Sequence, residues 1–151
     1  MNPNTPQYDQ DFYAWTQSQA ALLREEKGVE LDYPNLAEEI ESLGKRDRRE
    51  LGSRLQVLVL HLLKWCYQPE GRAQGSSWRR TIRTQRGEID ELLADSPSLR
   101  PAVPALLMQR YPRARLEALD ETGLPDKTLP LKCPWTPVQV LDETFWPGGD
   151  V

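Results

Sequence analysis

Apolar side chains recur at steps of four, three, four and three along Leu51, Leu55, Leu58, Leu62 and Trp65, the longest clean stripe in the chain. That spacing lines one face of an α-helix, so a central helix is predicted from about Lys45 to Tyr67. Between Val57 and Tyr67 the other faces are also largely apolar, which predicts that this half is enclosed by neighbours, and Gln68-Pro69-Glu70-Gly71 stops it.

Two shorter stripes come first. Phe12, Trp15, Gln19 and Leu22 follow Asp9 and Asp11 at steps of three and four, with Gly28 as the stop. Leu36, Ile40 and Leu43 follow Asp32-Tyr33-Pro34-Asn35, which offers a cap residue and a proline suited to a first helical turn. This second helix is expected to end or bend near Gly44 and to set its core direction by Leu36, Ile40 and Leu43.

After the central helix the chain reads as a loop to Ser76. Ser77 caps a fourth helix in which Trp78, Ile82, Gln85, Ile89 and Leu92 keep the alternating steps despite Gly87, ending near Asp95. Ser96-Pro97-Ser98 begins a fifth. There Pro101, Pro104 and Pro112 each remove a backbone donor, so it is expected to be kinked or split, and Leu116 to Glu121 closes before Gly123. Leu124 to Pro134 reads as extended. Thr136-Pro137-Val138-Gln139 then joins a capping box to a proline at the first helical position, which predicts a short last helix. Phe145-Trp146-Pro147 is expected to pin the tail by aromatic burial of about 2–3 kcal/mol per ring.

The fold class is therefore all-α: five to six helices, mostly antiparallel because the connections are short, with a long central helix and an extended C-terminal segment ending in a short helix. At 151 residues and 38% hydrophobic content, a single domain over 1–151 with an ordered core over about 8–147 is expected. Two cysteines, Cys66 and Cys133, are too few for a disulfide framework, which fits a reducing, cytoplasmic setting. The polar start Met1-Asn2-Pro3-Asn4-Thr5-Pro6-Gln7 lacks the features of a signal peptide, and Val57–Leu63, interrupted by His61, is too short to span a bilayer.

The formal net charge of -4 is unevenly spread. Residues 1–44 carry two bases against nine acids, residues 45–86 eleven bases against three acids, and residues 87–151 six bases against eleven acids. The favoured reading is that acidic flanks fold back on a basic middle in a salt-bridged helical surface. The sharper reading, a basic stripe for nucleic-acid phosphates, gains little from aromatic interleaving, because Trp65 and Trp78 fall at core-like positions, and a sequence pI near 5.1 argues against it.

Several segments carry a resemblance: Tyr8-Asp9-Gln10-Asp11-Phe12-Tyr13-Ala14-Trp15, Asn35-Leu36-Ala37-Glu38-Glu39-Ile40-Glu41-Ser42-Leu43-Gly44, His61-Leu62-Leu63-Lys64-Trp65, Gln68-Pro69, Ser77-Trp78, Ser96-Pro97-Ser98-Leu99, Glu121-Thr122-Gly123-Leu124 and Cys133-Pro134. Their order and spacing resemble the family catalogued as domain of unknown function 29, over about Tyr8 to Pro147. The resemblance implies an all-helical bacterial protein with no assigned activity, cofactor or catalytic residues, so it supports the fold and carries over no site.

The chemical inventory excludes more than it suggests. A single histidine rules out paired-histidine zinc sites, no Glu-x-x-His occurs, the cysteines form no CxxC pair, and no glycine-rich phosphate loop precedes a helix. No metal or cofactor is expected. What remains is a polar seam read from helical wheels: Glu39 and Ser42 flanking the second helix's apolar face, Arg54, His61 and Gln68 at seven-residue intervals on the central helix, and Arg79 and Arg86 on the fourth. Flanking polar residues of this kind are more often satisfied interface groups than catalysts. The leading expectation is a non-enzymatic helical module that binds another protein or forms a homo-oligomer. The alternatives are a ligand-binding protein or enzyme built on the seam around His61, and a nucleic-acid-associated protein using residues 45–86.

Overall fold

Helical spacing becomes six α-helices, with no strand among the described residues, which in this computed structural model are 6–74 and 77–148. The Phe12 side chain and the loop end at Ser76 lie outside the described residues. The helices are α1 (Pro6–Gln10), α2 (Phe12–Arg24), α3 (Tyr33–Tyr67), α4 (Ser77–Asp95), α5 (Val103–Thr122) and α6 (Pro137–Leu141), with 3-10 turns at Gly28–Glu30, Pro69–Gln74, Pro97–Ala102 and Asp126–Thr128. None of the described helices is long and apolar enough to cross a membrane.

The expected break near Gly44 does not occur: α3 is one helix of 35 residues. A lone glycine costs a helix interior roughly 1 kcal/mol, too little to stop it. The residues around it, Glu41, Leu43, Lys45 and Arg46, are good helix formers, and the acid-before-base order of Glu41 and Lys45 at four residues' spacing adds support. No proline follows until Pro69. Gly28 is likewise not the first helix's stop, because α2 ends at Arg24 and Gly28 opens the 3-10 turn after it.

Two compact units divide the chain, one through Arg46 and the other from Asp47. The first contains α1, α2, the Gly28–Glu30 turn and residues 33–46 of α3. Its interior is mostly polar. The Trp15 indole N–H donates to the Asp32 carboxylate at 3.1 Å, the Asn35 amide donates to the same carboxylate at 2.8 Å, and the Asp32 backbone N–H donates to the Gln19 amide oxygen at 2.9 Å. Trp15, Gln19 and Asp32 are buried, Tyr8 packs edge-on against the Trp15 ring, and the Asp11 side chain caps α2.

The second unit holds the main core. Leu51, Leu55, Leu58, Val59, Leu62, Leu63 and Trp65 of α3 are buried, and join Ile82, Ile89 and Leu93 of α4, Leu106, Leu107, Tyr111, Ala114 and Ala118 of α5, and Leu129 and Val140 beyond. The prolines split the fifth segment where the sequence suggests. Pro97–Ala102 forms a 3-10 turn, Pro104 sits in the first turn of α5 where no donor is needed, and the helix then runs through Pro112 to Gly123, whose φ of 70° closes it. Helix α5 survives Pro112 because both Pro112 and Met108, whose carbonyl loses its partner, face solvent, and water can satisfy that group.

From Leu124 to Gly148 the chain is an irregular strap. Proline-rich backbone cannot satisfy its own carbonyls, and two buried arginines do so instead. Arg115 of α5 donates to the carbonyls of Asp126 at 2.6 Å, Leu129 at 3.1 Å and Pro130 at 3.1 Å, and pairs with the Asp126 carboxylate at 3.1 Å. Arg86 of α4 donates through Nε to Val140 at 2.9 Å, and the Tyr111 hydroxyl donates to Pro130 at 2.6 Å. The predicted capping box opens α6, with Thr136 and Gln139 bonding each other's backbone N–H.

Candidate functional site

Of the seven residues of the expected seam, Glu39, Arg54, His61, Arg79 and Arg86 are engaged by other groups of the fold. In the first unit, Glu39 accepts from the Tyr8 hydroxyl and lies 3.9 Å from Arg46, while Ser42 is half-buried. The bond to Glu39 requires a protonated phenol, and the carboxylate repels a phenolate, so the Tyr8 pKa is pushed up to about 12. In the second unit, Arg54 pairs with Glu50 at 3.0 Å and Glu88 at 3.7 Å and donates to Gln85. His61 is half-buried and its Nδ1–H donates to the Val57 carbonyl of its own helix at 2.9 Å, not to a side chain of another helix. Burial lowers its pKa, opposed by that backbone bond and by Glu121 and reinforced by Lys64. Gln68 is half-buried. Arg86 holds the strap, so its flank position serves packing.

Arg79 and Arg86 do converge with other cationic groups, on aromatic rings instead of carboxylates. Trp146 stacks on Trp65 with ring centroids 4.8 Å apart, as the expected pinning of the tail requires. Arg72 and Arg79 lie 5.0 and 5.5 Å from the Trp65 ring, and Arg79, Arg83 and Arg86 lie 5.9, 5.9 and 5.6 Å from the Trp146 ring. Such contacts hold a cation over the ring's negative face. Among the described residues only Arg46, Arg54 and Lys64 of the basic 45–86 stretch form ion pairs, so the expectation of acids covering most of its arginines gives way to ring stacking. The expectation that aromatics stand apart from the arginines is corrected as well. Helix α4 presents Arg79, Arg83 and Arg86 at steps of four and three, and the ring they meet arrives from position 146, beyond the reach of local pattern. Arg86 Nη1 and Trp65 Nε1 find no hydrogen-bond partner among the described residues.

Two open apolar grooves lie elsewhere in the second unit. One, of about 500 Å³, runs between Pro104, Leu107, Met108 and Tyr111 of α5 and Leu131, Cys133 and Trp135 of the strap; the other, of about 440 Å³, lies between Val103 and Leu141. None of the seven seam residues lines either groove. Burial raises the Cys133 thiol pKa, so it is not an activated nucleophile. No cluster of three or more metal-ligating side chains occurs among the described residues.

The least satisfied surface belongs to the first unit. Leu36, Ile40 and Leu43, the expected core direction, do not form a core there: Ile40 is 67% and Leu43 55% exposed, with Leu36 half-buried. Helix α1 engages the neighbouring flank of α3 through Glu39, and α2 bonds Asp32 just before α3, which leaves the apolar stripe open. Of the ten large apolar side chains exposed among the described residues, six (Tyr13, Leu23, Val29, Tyr33, Ile40 and Leu43) lie in this unit. The only large apolar side chain it buries among the described residues is Trp15.

An all-helical chain with an arginine-bound strap and an open N-terminal apolar face is the class defined by this geometry. Over residues 7–146 the sequence matches the model of the family described as domain of unknown function DUF29, and the chain belongs to that family. No match is found among curated proteins or solved structures.

Proposed function

We propose that this chain is a non-enzymatic protein-interaction module of the bacterial cytoplasm, which presents the apolar face of its N-terminal helices to a protein partner. The supporting observation is the concentration of six exposed large apolar side chains in a unit that buries one. Soluble monomers seldom leave a contiguous apolar patch uncovered, and a unit of under about 50 residues seldom completes a core unaided. Glu39, Arg54, His61, Arg79 and Arg86 of the seam fit the same reading, since each is engaged within the fold. The experiment replaces Ile40 with a photo-crosslinking residue in living cells and places the same residue at Arg100, an exposed position in the second unit, as control. A discrete higher-mass adduct from position 40 and none from position 100 is expected. No adduct at position 40 contradicts the reading.

A second reading, binding of a small apolar ligand, is favoured by the groove between α5 and the strap, which carries Met108 at 77% and Leu131 at 78% exposed. An environment-sensitive apolar dye tests it. Saturable binding lost in Leu131→Arg, a change at an exposed wall of the groove, supports it, and binding unaltered by that change counts against it.

A further inference from the structure

Stacking on a ring uses only the flat face of a guanidinium. Its five N–H donors lie in the plane and point outward from the edge, where they still need acceptors. Around the two stacked tryptophans most of those donors go unmatched by the fold. Arg72 gives one to the Trp65 carbonyl at 2.6 Å, and Arg86 gives Nε to Val140 at 2.9 Å. Arg79 and Arg83 give none to any described residue, and none of these four arginines forms an ion pair among the described residues. The guanidiniums of Arg79, Arg83 and Arg86 each lie 5.6–5.9 Å from the Trp146 ring centre, so no two are more than about 12 Å apart, little beyond a Debye length of about 8–10 Å. Three cations held that close repel one another unless an anion joins them.

The acids that act on Arg86 are Asp142 and Glu143. Asp142 is occupied by the Thr144 backbone N–H and hydroxyl at 2.8 and 2.7 Å, and Glu143 is exposed and forms no ion pair among the described residues. Arg83, Arg86 and Glu143 line a cavity of about 270 Å³. Arg86 is only 1% exposed, and its Nη1 is buried without a partner among the described residues. Interiors rarely keep a charged donor unmatched, and each such group calls for a cause. A phosphate group supplies one, since its acceptor oxygens and nearly two negative charges suit the edges of paired guanidiniums. The cavity lies just below the roughly 300–1,000 Å³ of pockets for larger ligands, which matches a small anion. We propose that Arg83 and Arg86, braced on the Trp146 ring between α4 and the strap, bind the phosphate group of a small anion, with Arg79 adding charge and Glu143 as the carboxylate the anion displaces. This site is separate from the open apolar face and gives the interaction module a small-molecule ligand.

Calorimetric titration of the full chain with inorganic phosphate, at an ionic strength fixed with sodium chloride, tests it. Saturable one-to-one binding with a dissociation constant below about 1 mM is expected. Arg83→Gln, at an exposed position, weakens binding at least about tenfold through loss of a charge-assisted bond, with the melting temperature in phosphate-free buffer retained. Glu143→Gln removes the competing carboxylate and tightens binding about threefold, a gain that misfolding cannot imitate. Arg80→Gln, exposed on α4 and outside the cavity, leaves binding unchanged. Glycerol phosphate in a parallel titration separates the sources of the group: tighter binding than inorganic phosphate identifies an ester, weaker binding the free ion, and both support the site. No saturable binding by about 10 mM inorganic phosphate overturns the proposal. So does binding that Arg83→Gln leaves intact, that Arg80→Gln weakens equally, or that Glu143→Gln fails to tighten.

Discussion

Removing Arg115 isolates the contribution of the strap's backbone satisfaction. The side chain is only 7% exposed and gives donors to three carbonyls, those of Asp126, Leu129 and Pro130. Its ion pair with Asp126 adds little, because that carboxylate is 76% exposed and screened by water. A hydrogen bond from a charged donor is worth about 1.5–3 kcal/mol, and a carbonyl left buried without a partner costs about 1–3 kcal/mol. Leu129 is buried, so water does not readily replace the guanidinium there, whereas Asp126 is exposed and recovers water. Arg115→Ala is therefore expected to lose about 3–4 kcal/mol in urea melts, with backbone amides around Leu129 exchanging faster. Arg115→Lys recovers at most half, since one ammonium cannot span three carbonyls. Arg86→Met is the contrast. Arg86 makes one good carbonyl bond and keeps a buried Nη1 without a partner, so relief of that desolvation offsets part of the loss, which is expected to stay under about 2 kcal/mol. A loss below about 1 kcal/mol for Arg115→Ala, or full retention in Arg115→Lys, would refute the reasoning.

Four further outcomes follow from the same contacts. Leu58→Ala and Trp65→Ala, both buried in the α3 core, should each cost about 2–5 kcal/mol in denaturant melts. Gly71→Ala drives a Cβ into the Trp78 ring, so it should displace that indole, lower stability by about 1–3 kcal/mol and shift tryptophan fluorescence. His61, whose pKa burial holds below the ordinary imidazole value of about 6.5, should titrate below that value by NMR; because the unfolded state then binds its proton first, its contribution is complete above about pH 6.5 and declines as pH falls from there toward the folded pKa. With Arg72, Arg79, Arg83 and Arg86 on tryptophan rings, a DNA titration at low salt should show only weak binding, and tight binding with a steep negative salt slope would favour phosphate contact instead.

How far the sequence could be read depended on whether a residue's partner was local. The four-three steps from Leu51 to Trp65, the capping box at Thr136 and the prolines before Val103 act within a few residues, and each specified its element. Ile40 and Leu43 marked an apolar face correctly, but periodicity cannot say whether the chain itself covers that face. Gly44 misled because a single weak residue was weighed without the helix formers around it. The seam failed for a different reason. Arg86 and His61 bond to backbone carbonyls, of Val140 and Val57, which no side-chain pattern announces. The ring that gathers Arg79, Arg83 and Arg86 enters from position 146.

In-cell photo-crosslinking from position 40 bears most directly on the claim that the N-terminal face works by binding a protein. A discrete higher-mass adduct that Leu43→Glu abolishes is expected, since Leu43 shares the exposed apolar stripe with Ile40. No adduct from position 40, or one indifferent to Leu43→Glu, would contradict the account.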